Sequence, residues 1–193
     1  ATGAHLALYP NLNVNDPVYQ ALFRDVRFRR ALSLAVNRHE INQVMYFGLA
    51  LETNNLILPD SPLYNETTAH AWAGFDIDRA NALLNEIGLT EFNDDDIRLM
   101  PNGEPLELII ETAGEDTEQT DVLQLVSDSW KQIGVKIYTK PSQREVFRNR
   151  IFSGETHMSI WSGYDNGVPT ADMSPTEFTP TQQMGLHWPK WGQ

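Results

Sequence analysis

The chain has 193 residues and a net charge of -12, from 26 Asp and Glu against 14 Lys and Arg. That balance repels polyanions, whose capture depends on neutralising phosphates, and argues against nucleic acid or an anionic membrane as a partner. There is no cysteine, which removes a disulfide framework and a thiolate metal site without fixing the compartment. No run of about 18 apolar residues occurs, so no transmembrane helix is expected. Residues 1–10 carry neither a basic n-region nor an apolar h-region, so no signal peptide is visible there. A chain of this size should form one domain with a real core, or at most two small ones.

His5 to Asn13 is a candidate strand that Pro10 confines to a sheet edge or ends early. Asp16-Pro17 opens a short helical approach to the stretch 25–48, DVRFRRALSLAVNRHEINQVMYFG. In it Ala31, Leu32, Leu34 and Ala35 make a narrow apolar stripe, with Val26 and Phe28 about a turn earlier. Arg24, Arg27, Arg29 and Arg30 crowd the first turns, where the macrodipole favours anions. They must be solvated or paired with carboxylates such as Asp25, and a solvated face is the simpler reading. Asn37 and Glu40 occupy the N-cap and N3 positions of a capping box. The helix that follows should run from Arg38 to about Phe47, bury Ile41, Val44 and Met45, and stop at Gly48.

From Leu51 to Phe75 the chain reads as irregular, broken by Pro59, Pro62 and Gly74 and pinned to the core by Tyr64 and Trp72. So long a connection usually marks function or docking. Asp76 is then the N-cap of a helix that buries Ile77, Ala80, Leu83, Leu84 and Ile87 and closes at Gly88. Glu91 and Asp94 to Asp96 form an acidic loop. An EF-hand counted from Asp94 would need an oxygen ligand and a glycine where Arg98 and Leu99 stand, so a solvated loop is expected.

Ile97–Met100 and Leu106–Glu111 read as two strands of a hairpin around Pro101-Asn102-Gly103, with Leu106, Leu108 and Ile110 on the buried face. A helix over 118–133 places Val122, Leu125, Val126, Trp130 and Ile133 inward and ends at Gly134. A strand over 135–139, a helix over 143–152 and a short strand over 158–161 complete an α/β layer with helices packed on a mixed sheet. Residues 162–193 differ: they are Pro-rich and irregular, with Trp188 and Trp191 near the end. Such a tail either packs on the core or leads into sequence outside this chain.

Motifs for catalysis are missing. No Gly-rich phosphate loop precedes a helix, and neither GxSxG nor HExxH occurs. His5, His39, His70, His157 and His187 lack ligand spacing and read as surface or packing residues, so no metal and no cofactor are expected. A carboxylate pair of the glycosidase kind is compatible with the composition, but no spacing singles one out. Asn65-Glu66-Thr67 fits a glycosylation sequon, a weak pattern.

The order of the 25–48 stretch, DIDRANALLNEIGL, the acidic loop with LMPNGEPLEL, LVSDSWKQIGVKI and IWSGYDNG resembles family 5 of the extracellular solute-binding proteins, from about Asn13 to Asp165. These are the peptide- and nickel-type receptors of ABC importers. Two departures stand out: Asn37-Arg38 where the family has Asp-Arg, and His157 where it commonly carries Asp, which leaves the local pairing there open. The resemblance implies a periplasmic-binding-protein type II lobe, residues 1–193 forming most of the C-terminal lobe of a much longer, two-lobed, monomeric receptor. That receptor would be periplasmic, or lipid-anchored outside a Gram-positive cell, with a permease as its partner and no catalytic activity.

The resemblance also implies a site. Peptide-binding members carry an Asp just beyond a Trp-x-x segment that binds the ligand's α-ammonium group, and Asp165 matches with Tyr164 inserted. Trp161 and Tyr164 would form an apolar wall. The plain alternatives are that Asp165 only caps a turn with Asn166-Gly167 and that the two aromatics are core. Arg148 and Arg150 are candidates for a ligand carboxylate, or a surface pair. Peptides or related oligomeric solutes are the expected cargo, with an oligosaccharide, opine, haem or metal chelate as alternatives. A carboxylate-dependent hydrolase and an interaction module that has lost transport are alternatives of other classes.

Overall fold

The structure, a computed structural model, describes residues 2–114, 116–179 and 185–190. Four strands, β1 (Ala7–Pro10), β2 (Glu107–Thr112), β3 (Lys136–Pro141) and β4 (Met158–Trp161), form one mixed sheet in the order β1-β4-β2-β3. β2, β3 and β4 are parallel, and β1 adds antiparallel at the edge of β4 with Ala7 opposite Trp161. β3 lies on one side of β2 and β4 on the other, so the crossovers run in opposite directions. Right-handed connections then put their helices, α6 (Thr117–Lys131) and α7 (Arg144–Ser153), on opposite faces.

Side-chain alternation sorts the two faces. Leu108 and Ile110 of β2 and Met158 and Ile160 of β4 join the main core, which α6 closes with Val122, Leu123, Val126 and Trp130. The other face carries Glu111, Ser159 and Trp161 toward α7, where Phe147 and Ile151 form a smaller cluster with Ala113. The remaining helices are α1 (Pro17–Arg24), α2 (Val26–Leu34), α3 (Arg38–Tyr46), α4 (Glu66–His70) and α5 (Ile77–Ile87). Each is opened by an Asp or Asn side chain that accepts backbone N–H groups: Asp16, Asp25, Asn37, Asn65 and Asp76. The cap at Asn37 and the stop at Gly88 are as the sequence predicts.

Several local readings are overturned by tertiary contacts. The arginine cluster is a solvated face only in part: Arg24 is exposed, while the expected pairing with Asp25 is formed and the others find partners in the fold. Arg27 pairs with Asp25 at 2.8 Å, Arg29 and Arg24 donate to the carbonyls of Phe23 and Leu12, and Arg30 stacks 4.4 Å from the Trp72 ring, with Arg79 also over that ring at 4.2 Å. Val44 is 57% exposed rather than buried, because α3 meets the core only along Ile41 and Met45. The stretch 51–75 is not wholly irregular, since it contains α4. Trp72 packs on the core, while Tyr64 is only half-buried and lies outside it.

Ile97–Met100 is not a strand. It touches its neighbours through single bridges, Phe92 with Arg98 and Leu99 with Pro105. The reason is Arg98, which is 1% exposed and donates to the carbonyls of Ile133 and Leu89 and to the side chains of Asn81 and Asn85. The C-terminal ends of α5 and α6 converge there, where carbonyl groups favour a cation. Burial lowers the Arg98 pKa. Glu111, on the face of β2 opposite Leu108 and Ile110, is 1% exposed and held by Arg150.

Candidate functional site

In open α/β sheets the crevice beyond the carboxyl ends of parallel strands, where the strand order reverses, is the preferred place for a ligand. Here β4 delivers Trp161 to that end, and the chain then turns through Ser162, Gly163, Tyr164 and Asp165. The turn is held by a small polar network. The Asn55 side chain accepts the Tyr164 N–H at 3.1 Å and donates to the Tyr9 hydroxyl at 3.1 Å, which donates to the Ser162 carbonyl at 2.8 Å. Burial pushes the Tyr9 phenol well above its ordinary range, so it stays a donor. Gly163 donates to the Ala4 carbonyl at 2.9 Å, and a Cβ there would strike the Ala4 backbone and the Asn55 side chain. That close approach explains the glycine.

The result is a hollow of about 230 Å³ lined by Tyr9, Arg144, Arg148, Trp161, Tyr164 and Asp165, among others. Trp161 is half-buried against Phe147, ring centroids 5.7 Å apart, and the Arg144 guanidinium lies 5.0 Å over its ring. Tyr164 packs on Phe178 at 4.7 Å, and burial raises its pKa with a smaller push from Glu177. Asp165 is exposed; among the described residues its carboxylate has no hydrogen-bond partner and no cation within ion-pair distance. Its backbone N–H donates to Glu177 instead.

The three predicted site residues are thus brought together, at one rim. The two predicted arginines are not. Arg148 lines the hollow, whereas Arg150 binds Glu111 at 2.6 Å and Glu155 at 2.9 Å and is structural. Tyr9, Asn55, Arg144 and Glu177 were not read from the sequence. Arg144 alone carried a signal, four residues before Arg148 on one helical face. His157, where the resemblance expects Asp, stacks on Tyr19 at 4.1 Å, and burial lowers its pKa. It takes no part in pairing Arg150, which Glu111 does.

A larger cavity of about 770 Å³ lies on the opposite face, lined by Leu8, Leu32, Val36, Val126 and Trp130 among others. Its most buried cation, Arg38, spends its donors on Ser33, Ala73 and Thr53, and burial lowers its pKa to about 10. The larger cavity is mainly apolar and its Arg38 donors are spent within the protein, whereas the smaller hollow is lined by the charged side chains of Arg144, Arg148 and Asp165.

The described part of the tail packs on the lobe rather than trailing from it. Leu58 N–H donates to the Gly167 carbonyl, Leu12 N–H to the His187 carbonyl, and Trp188 adds to the main core. Trp191 lies outside the described residues. No described helix is long and apolar enough to cross a membrane.

The chain is similar to known proteins in sequence and in fold. The dipeptide-binding protein of Escherichia coli strain K12 is 27% identical over 187 residues, covering 94% of this chain and 33% of that protein. The oligopeptide-binding protein OppA of Lactococcus lactis subsp. lactis strain IL1403 is 31% identical over 182 residues, 93% of this chain and 29% of that protein. Among solved structures, an oligopeptide-binding protein OppA has a TM-score of 0.80 at 37% identity, over 86% of this chain and 26% of that one. The oligopeptide binding protein of Thermus thermophilus, complexed with a pentapeptide, has a TM-score of 0.78 over 100% of this chain and 34% of that one; at 20% identity it shows the shared fold alone. The chain spans about a third or less of the length of these proteins. The model of bacterial extracellular solute-binding proteins, family 5 Middle, matches residues 2–185, a span that holds the whole four-stranded sheet, its helices and the Trp161–Asp165 turn, and the chain belongs to that family.

Proposed function

We propose that this chain is one ligand-gripping lobe, the C-terminal one, of a solute receptor that serves an ABC importer and captures peptides or related oligomeric solutes. The observation that carries the reading is the exposed Asp165 carboxylate, without a cation of its own among the described residues, beside the aromatic surfaces of Trp161 and Tyr164. A carboxylate enclosed by a second lobe is costly unless a cation pairs with it, so closure selects a solute with a cationic end such as a peptide α-ammonium. The aromatics supply apolar contact that tolerates varied side chains. The relatives named as dipeptide- and oligopeptide-binding proteins favour the same cargo.

In this reading the second lobe and hinge come from the rest of the polypeptide, and ligand binding shifts an open–closed equilibrium by its differential affinity for the closed state. The receptor works outside the cytoplasm as a monomer, delivers its solute to a permease, and performs no chemistry on it. Calorimetric titration of the full-length receptor with mixed oligopeptides tests this. Heat with peptides bearing a free amino terminus is expected. Silence with every peptide, with clear binding of a sugar or metal chelate, overturns the peptide assignment. Turnover of peptides or glycosides overturns the non-catalytic one.

A further inference from the structure

The larger cavity, of about 770 Å³, runs along the sheet face that α6 covers. Leu8 of β1 and Ile160 of β4 line it from the sheet, and Leu32, Ile41, Val126 and Trp130 line it from α2, α3 and α6. Its rim is the turn after α3. Tyr46, Ala50 and Leu51 line the cavity, while their neighbours Phe47 and Leu49 stand 85% and 88% exposed. Val44, a turn before Phe47, is exposed too, as is Leu51. A single exposed leucine needs no explanation. Four large apolar side chains within residues 44–51, beside an apolar cavity, form a continuous patch of the kind that marks a docking surface.

The rim is fastened. The Asn42 side chain accepts the Ala50 N–H at 2.9 Å and donates to the Ala50 carbonyl at 3.0 Å, and the Gly48 N–H donates to the Asn42 carbonyl at 3.0 Å. Its apolar side chains are therefore displayed on a fixed frame, which lowers the ordering cost of a contact. Polar groups around the cavity are engaged inside the lobe. Arg38 donates to Ser33, Thr53 and Ala73, Asn54 to the Ala71 carbonyl, Asn55 to Tyr9, and Ser33 to the Trp72 carbonyl. A solute pocket adds free, placed polar groups to its apolar walls. Groups already engaged leave apolar contact as the main offer of this surface, which suits a protein segment better than a polar solute.

This chain covers 33% of the Escherichia coli relative and 34% of the Thermus thermophilus structure, so most of a receptor of that length lies outside residues 1–193. A segment on the same polypeptide meets the surface at the concentration set by its tether, about millimolar for a short linker, an advantage over any free partner of equal chemistry. Helices already cover this face beside the cavity, and an α/β sheet is closed by such a layer.

We propose that the cavity and the rim at residues 44–51 are an intramolecular docking surface, covered by an amphipathic helix of the same polypeptide from outside residues 1–193. That helix sets apolar side chains at i, i+3, i+4 and i+7 against Ile160, Val126 and Trp130, and its flank covers Phe47 and Leu49. The lobe core is then completed by chain from elsewhere in the receptor, whatever solute the receptor takes.

The test uses the full-length receptor. p-Benzoylphenylalanine is placed at Phe47 or at Leu51 and irradiated, and the product is digested for mass spectrometry. Cross-links at monomer mass to a peptide from outside residues 1–193 are expected, and that peptide should carry the apolar spacing of a helix face. A linked peptide without that spacing overturns the helix. Links that join two chains assign the surface to a second copy, and links confined to residues 1–193, or none, leave it uncovered; each overturns the proposal. Val36→Phe, which adds a ring at the same cavity, is the second arm. Against a docked helix the ring overpacks, and the thermal midpoint should fall by about 2 °C or more. A midpoint at or above that of wild type means that the ring found space, and overturns the docked helix. Titration of the same variants with oligopeptides reads the cargo separately, so a failed docking result with peptide binding intact removes this surface alone.

Discussion

Glu177 accepts the backbone N–H of Asp165 at 2.8 Å, so the acid nearest the candidate ligand carboxylate is occupied by the main chain that carries it. The turn after β4 is therefore fastened from both sides, by Glu177 at its far end and by Asn55 at Tyr164. Asp165 is left with a fixed backbone and a free side chain. Preorganisation of this kind lowers the ordering cost of binding.

Asp165→Asn in the full-length receptor keeps the shape and removes the charge. Affinity for peptides with a free amino terminus should fall by about 1.5–3 kcal/mol, the range for hydrogen bonds to charged groups. N-acetylated peptides, already lacking the ammonium, should bind wild type and variant alike. Equal affinities of the two proteins for free-amino peptides in calorimetry would place the ammonium site elsewhere.

Asn55→Ala removes three connections at once: the acceptor for Tyr164 N–H, the donor to the Tyr9 hydroxyl, and the packing against Gly163. Leaving these partly buried groups unpaired should cost about 1–3 kcal/mol of local stability. Hydrogen exchange should show faster exchange at Tyr164 and Gly163 with α5 and α6 unchanged. Protection at those amides equal to wild type would mean the network does not hold the turn.

Arg150→Ala leaves the Glu111 carboxylate, 1% exposed, without its cation. Stripping one partner from a buried pair costs about 3–5 kcal/mol, a figure to reduce here because Arg150 itself reaches solvent. The double variant E111Q/R150M should recover much of the loss. A denaturation midpoint for R150A matching wild type would show that water reaches Glu111.

Burial pushes His187 down to about 4 from an ordinary 6.5, with a smaller contribution from Arg29. Its ring sits 4.6 Å from Tyr9. A base whose folded pKa is depressed favours folding while it is neutral. That stability is whole above the unfolded value near pH 6.5 and is lost as pH falls toward 4. Between pH 7 and pH 5 wild type should lose about 1–2 kcal/mol more than His187→Gln, read from urea midpoints. Parallel curves for the two proteins would show the imidazole to be solvated.

Much of the frame is legible along the chain because it rests on local rules. Asn37 caps α3, Asp76 and Gly88 bracket α5, and the period of Ile77, Ala80, Leu84 and Ile87 marks the face that packs on α2. What local pattern missed shares a cause. Arg98 interrupts a strand-like pattern because two helix ends converge on it, and Glu111 is buried because α7 covers that side of β2 with Arg150. Neither partner is near in sequence.

The sequence alone carried the order of the family's motifs and the bounds of most helices, because caps and periodicity act within a few positions of one another, while the choice of Trp161, Tyr164 and Asp165 came from the resemblance. Only the tertiary structure decided which charges are free. Arg144, Arg148 and Arg150 belong to one short helix. Contact with a buried Glu111 across the sheet consumes one of them, while the other two line the hollow beside Asp165. Charge becomes available or spent through distances between elements, and local pattern does not contain those distances.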